Sequence, residues 1–352
     1  MITKRLRAKR LRLVAGLAAC LLAPSSFAQS IASTARGIVV AHDRTIELYA
    51  RNGRDLLWRS EGVGTPGAIA VSENRIAVLD PLQNEVRILD LADGRGSTLK
   101  TGETPLAGVF LGSDLYVLER DARAVERIRP DGSRTSVAVG ADPSFLRASN
   151  GNLYVYERNE GLLQEITANP FARGRRLQVS AGASDFKTDG RNGYLVEPRS
   201  GKVRMVSLDS MQPAGSVDVG AVPVDIATAA RGTALSARTL AVADPAARKV
   251  WLIEGSQSVS EAVARGFLRG LIGLGLSGSR SSEFPTGVDR IVASGSHWLA
   301  YDSSSRTLYR FQRRKSSIAA RNVGPRAFAV TSDAVFVWDD TVRRLQRLPT
   351  DG

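Results

Sequence analysis

Apolar positions in this chain fall into short runs rather than long helical stretches. Residues 68 to 90 carry three in succession: Ala68-Ile69-Ala70-Val71, then Arg75-Ile76-Ala77-Val78-Leu79-Asp80, then Glu85-Val86-Arg87-Ile88-Leu89-Asp90. Each has strand length, is rich in β-branched or aliphatic residues, and is bounded by turn formers. The third alternates apolar and polar positions with period two. This pattern predicts antiparallel hairpins.

The middle run recurs down the chain as Ile38-Val-Val-Ala-His42, Leu115-Tyr-Val-Leu-Glu119, Leu153-Tyr-Val-Tyr-Glu157, Leu240-Ala-Val-Ala-Asp244 and Val335-Phe-Val-Trp-Asp339. Its terminal residues are His42, Asp80, Glu119, Glu157, Glu197, Asp244, Asp302 and Asp339, spaced by 38, 39, 38, 40, 47, 58 and 37 residues. A second landmark precedes most copies: Gly64-Thr65-Pro66, Gly102-Glu103-Thr104-Pro105, Gly140-Ala141-Asp142-Pro143, Gly220-Ala221-Val222-Pro223 and Gly324-Pro325. Gly ends one strand, and Pro sets the φ at the start of the next, where no ladder donor is lost. Each unit therefore reads as four strands, a to d, followed by a Gly/Pro joint. Such a sheet is apolar on both faces and cannot bury itself alone. Repetition at this period predicts an all-β fold, a β-propeller of four-stranded blades of about 40 residues. Eight hairpins favour eight blades; seven would leave one hairpin outside the ring. Residues 30 to 34 read either as strand a of the first blade or as an outer strand closing the last, which lacks an obvious fourth strand.

The Gly-Pro joints together with the aliphatic-aromatic-Val-x-Asp runs resemble the YVTN and NHL type of propeller repeat. The resemblance covers almost all of the chain after residue 28. It implies the propeller fold and is weak for function, because those families include binding modules, extracellular scaffolds and a few enzymes.

The N-terminus carries a different message. Lys4, Arg5, Arg7, Lys9, Arg10 and Arg12 precede an apolar stretch, Leu13 to Ala23, that is too short to span a bilayer as a stable helix. Pro24 and Ser26-Phe27-Ala28 complete the pattern of a secretory signal peptide over residues 1–28, so the propeller domain is expected over 29–352 in the periplasm or outside the cell. Leu17-Ala18-Ala19-Cys20 also resembles a lipobox. The apolar run continues through Leu21 and Leu22, which favours plain cleavage over lipid anchoring at Cys20. Removing the leader takes six of 48 Lys and Arg, leaving 42 against 35 acidic residues, so the net charge falls from +13 to +7. It also removes the one cysteine, and with it disulfides and thiolate metal sites. Much of the remaining excess lies after Arg306, where a segment such as Arg313-Arg314-Lys315 can meet lipid phosphates or an acidic partner, although a solvated charged edge is the simpler reading. No aromatic-basic stacking pattern accompanies it, so nucleic acid is not an expected partner.

Chemistry is sparse. The acidic ends of the b strands should ring one face of the molecule, as a cation site or docking rim, or more simply as acceptors for amides of their own turns. Inner-strand residues that break the repeat are better binding candidates: Arg147, Asp185, Lys187, Asp189, Asp225, Asp289 and Arg290, converging on the central channel. Paired charges at the channel mouth are the plainer account of them. Gluconolactonase-like propellers suggest an alternative, a metal-dependent hydrolase or lactonase with Asp225 and Asp289 as ligands, but no matching Glu/Asn set is found. No zinc spacing, nucleophile elbow or Trp-rich quinone motif occurs, so no catalytic residue, metal or cofactor is assigned. The insertion at about 255–284 begins with a capping box, Ser258 to Glu261, and repeats Val263, Phe267 and Leu271 at helical spacing. It reads as an amphipathic docking element for a protein or membrane surface, or as a segment capping its own blade and supplying that blade's d strand. The expected function is therefore binding or scaffolding, with a protein or cell-envelope component as partner.

Overall fold

The computed structural model describes residues 30–228, 239–254, 279–294, 297–312, 315–324, 328–331, 333–339 and 342–349. The leader, Cys20 and the segment carrying Val263, Phe267 and Leu271 lie outside them. The described residues form eight antiparallel sheets, each built from strands consecutive in sequence. In order these blades cover 30–61, 69–100, 105–138, 143–178, 185–218, 225–283, 290–320 and 328–349. Seven are four-stranded; the eighth has three strands among the described residues. The chain is an eight-bladed β-propeller.

The inner strands are 1a (Ser30–Ser33), 2a (Ile69–Val71), 3a (Pro105–Leu111), 4a (Pro143–Ser149), 5a (Asp185–Thr188), 6a (Asp225–Thr228), 7a (Arg290–Ser294) and 8a (Phe328–Val330). Each touches the next, and 8a touches 1a, which closes the ring. Residues 30 to 33 are thus the inner strand of the first blade and do not complete the last one. Strand 6d is Ser279–Glu283, so the end of the insertion supplies that blade's own outer strand.

Burial explains the composition of each strand. The b strands, such as Arg75–Asp80 and Leu153 within Asn152–Glu157, are buried almost throughout, because neighbouring blades cover both faces. They consequently read as continuous apolar runs, whereas outer strands such as Gly96–Lys100 are mostly exposed and polar. The core is accordingly divided into eight clusters, one in each seam between blades. Val39, Ile46 and Leu48 of blade 1 meet Ile76, Val78 and Leu89 of blade 2. The last seam is closed by Ile38 and Val40 against Phe336, Trp338 and Leu345.

Chain direction places the d–a joints and the b–c turns on one face, called here the joint face. The a–b and c–d turns lie on the opposite face.

Candidate functional site

The repeated acids and the joints turn out to be two halves of one device. All eight terminal positions are the last residues of their b strands. Asp80 is fully buried; its Oδ2 accepts the Thr65 amide at 2.7 Å, and its Oδ1 accepts the Leu82 and Gln83 amides. Glu119 accepts the Gly102 amide at 2.6 Å, Glu157 that of Gly140 at 2.8 Å, and Asp244 those of Ala221 and Ala247. These four carboxylates clamp the joint entering their own blade, whereas Glu197 bonds Ser200 and Arg204; Asp80, Asp244, Asp302 and Asp339 also accept amides of their own b–c turn. The glycines are required by the same contact. A Cβ on Gly102, Gly140 or Gly220 would lie within 2.3 Å of a clamping carboxylate oxygen. Among the described residues no joint precedes blade 1, and there the acid gives way to His42, whose ring packs 4.7 Å from that of Trp338 in blade 8.

Of the channel candidates, four converge. Arg147, Asp185, Lys187 and Asp225 come from three consecutive inner strands, 4a, 5a and 6a. Lys187 Nζ lies 3.1 Å from Asp185 Oδ2, and Arg147 Nη2 lies 3.6 Å from Asp185 Oδ1. Several of these groups also bond to backbone across a seam. Arg147 Nε donates to the Phe186 carbonyl at 2.8 Å, Asp185 Oδ2 accepts the Ile226 amide at 3.3 Å, and Asp225 Oδ2 accepts the Ile291 amide at 2.6 Å. Burial, with the adjacent charge of Asp185, pushes the Asp225 carboxyl up to about 8. Asp185 moves the other way: burial opposes its ionisation, but Lys187, the Asp225 hydroxyl and Arg147 together hold it below the ordinary range. At neutral pH the pair carries one proton and one negative charge beside two cations. The cluster stitches blades 4 to 7 together and leaves one positive charge in excess at the channel wall.

The other candidates lie apart. Asp189 is exposed in an a–b turn, where it accepts the Asn192 amide and the Tyr194 hydroxyl at 2.8 and 2.6 Å. Asp289 is bonded by the amide and hydroxyl of Ser303. The Arg290 guanidinium lies 4.8 Å from the Phe328 ring centre. Asp225 and Asp289 are therefore engaged separately, and among the described residues no group of three His, Cys, Asp or Glu is placed to hold a metal ion.

One buried cluster escaped the sequence reading. Glu47, in strand 1c (Thr45–Ala50), accepts bonds from the Tyr49 hydroxyl at 2.7 Å and from Arg59 Nε at 2.7 Å, and it contacts His42 Nε2 at 3.3 Å. Burial alone would raise its carboxyl, but these bonds outweigh burial and hold it down to about 2. The signal was present in the strand periodicity: Glu47 and Tyr49 share a face, and Arg59 pairs with Glu47 across the next strand.

No protein-family profile matches the sequence, and no curated protein sequence is significantly similar to it. Solved structures do match. BamB from Moraxella catarrhalis aligns with a TM-score of 0.66 at 10% identity, over 91% of this chain and 96% of its own. The dihydro-heme d1 dehydrogenase NirN aligns at 0.64 and 14% identity, over 85% of this chain and 67% of its own. A virginiamycin B lyase from Staphylococcus aureus aligns at 0.58 and 13% identity, over 81% and 94%. At these identities the likeness establishes the propeller fold alone.

Proposed function

We propose that this protein is an exported binding or scaffolding propeller that takes a protein or cell-envelope component on its joint face. The observation that carries this reading is the placement of exposed apolar side chains. Leu82 and Val342 sit in the b–c turns of blades 2 and 8, exposed to 69% and 60%, and Val222 sits in the joint before blade 6, exposed to 40%. All three are on one face; the other exposed large apolar side chains among the described residues, Leu56, Leu57 and Ile318, lie on the outer strands of blades 1 and 7. Single exposed aliphatics are ordinary on soluble proteins, but turns are normally polar, and apolar turn tips sharing a face suit a partner. The channel charges support the same reading, because each is already bonded within the ring. The YVTN/NHL-like repeat pattern agrees with a binding module, as does the use of this fold by proteins as different as BamB and the lyase. Export rests on the leader sequence; intact mass of the protein recovered from its native host should begin at Gln29, and an acylated Cys20 would replace that reading with a lipid anchor.

The binding proposal is tested by photo-crosslinking in the native host with a reactive residue at position 82 or 342, and at Gly112 on the opposite face as control. Adducts with one discrete partner from 82 and 342 only are expected. Equal labelling from all three positions, or none from the joint face, would overturn it.

A further inference from the structure

The eighth blade has an open side. Strand 8c (Arg344–Pro349) pairs with 8b (Ala334–Asp339), and among the described residues nothing pairs with its other edge. In every other blade a d strand occupies that position. A groove of about 580 Å³ lies there, lined by Arg344, Leu345, Gln346 and Arg347 on one side and by the c–d turn of blade 1, residues 51 to 54, on the other. Successive side chains of a strand point to opposite faces, so four consecutive lining residues mean that the groove runs along the strand's edge. Gly53 lets the opposing wall approach: it has φ +71°, and a Cβ there would meet the Phe336 ring at 2.8 Å.

The groove is basic. Arg51 donates to the Ala35 carbonyl and Arg347 lies 3.1 Å from Asp333. Asn52 bonds the nearby Asp55 at 2.6 Å. Arg54 and Arg344 have no carboxylate partner among the described residues. An unpaired strand edge offers a ladder of amides and carbonyls, and flanking guanidiniums select what pairs with it. We infer that the open edge of strand 8c binds an acidic, extended peptide segment of a partner protein, which adds as the missing fourth strand with its carboxylates against Arg54 and Arg344. Two other occupants carry the wrong charge. A second copy pairing through 8c would set Arg344 and Arg347 against themselves; the leader is basic over residues 4 to 12, and its uncharged residues 13 to 28 are removed by the cleavage proposed above, on which this exclusion rests. Arg344 directly follows the b–c turn of blade 8, so the groove starts at the joint-face end of strand 8c and runs along its edge toward the c–d turn of blade 1; crosslinking from position 82, in another blade, tests the function proposed above independently of this site.

The test uses the purified full chain and a fluorescent peptide of about eight residues, a typical strand length, alternating Glu and Val, with a Lys-Val peptide as control. Saturable binding of the acidic peptide is expected. It should weaken about tenfold in the double variant Arg54→Glu/Arg344→Glu, as loss of two flanking charges implies, and hydrogen exchange should show new amide protection over 344–348. Binding of both peptides alike, unchanged affinity in the variant, or protection located elsewhere would each overturn the inference. A dimer whose dissociation uncovers the same amides would also overturn it, in favour of a second copy.

Discussion

Two carboxylates in this protein are displaced in opposite directions, with opposite consequences for stability. Glu47 is held at about 2 against an ordinary 4.5. Its folded form binds protons less readily than the unfolded chain, so its contribution is complete above about pH 5 and is lost as pH falls through 2. A shift of that size corresponds to about 3 kcal/mol. Glu47→Gln should therefore cost on the order of 2–3 kcal/mol in urea unfolding at pH 7, with a markedly smaller difference at pH 3; a pH-independent difference would mean that packing, not charge, matters there. Asp225 is raised to about 8, so the folded chain keeps a proton that the unfolded chain releases. Stability then falls as pH rises from about 4 to 8. Asp225→Asn should flatten that slope and stabilise the protein relative to wild type at pH 9, read from melting midpoints across the range. It retains a side-chain oxygen for the Ile291 amide and removes the charge that opposes Asp185.

At the scale of the blade, the clamp between joint and b strand invites a coupled test. Gly140→Ala places a methyl carbon 2.0 Å from a Glu157 oxygen and should cost about 1–3 kcal/mol. Glu157→Ala removes the clash and the clamp together. The double variant should be less damaged than the sum of the singles by about 1 kcal/mol or more; strict additivity would show that joint and acid act independently. Both halves of this device were legible as landmarks, and the strand ends were legible to the residue, because a strand covered on both faces must be apolar throughout. Their partnership was not, since a hydrogen bond from Gly102 to Glu119 or Gly140 to Glu157 leaves no mark except a constant offset of 17. The channel cluster was half legible for a related reason. Arg147, Asp185 and Asp225 stood out as charges in apolar strands. Their convergence follows from lying about one repeat apart, 38 and 40 residues, on adjacent inner strands. Asp189 shares their composition but falls beyond the strand end, in the turn.

For the whole ring, seven seams are bridged by a d–a joint and one is not. Among the described residues, blade 8 meets blade 1 with neither a covalent joint nor a shared strand, because each sheet is built from consecutive strands and 1a belongs to blade 1. Closure there depends on the contact of 8a with 1a, on the apolar cluster around Phe336 and Trp338, on the His42–Trp338 ring contact, and on an Arg343–Asp43 ion pair of 2.8 Å. That ion pair is largely exposed and worth little. Among the described residues the seam is therefore held mainly by burial, without the chain connectivity that keeps other neighbours at high effective concentration. Native-state hydrogen exchange should find the lowest opening free energy in strands 1b and 8b, below that of the equivalent strands at the seam between blades 4 and 5. Phe336→Ala should cost about 3–5 kcal/mol globally and lower protection first on both sides of this seam. Tyr156→Ala, at the seam between blades 4 and 5, should lower protection without opening the ring at 8 and 1. If protection in 1b and 8b instead equals that of the joined seams, packing of Phe336 and Trp338 is enough to close the ring as firmly as the joints do elsewhere.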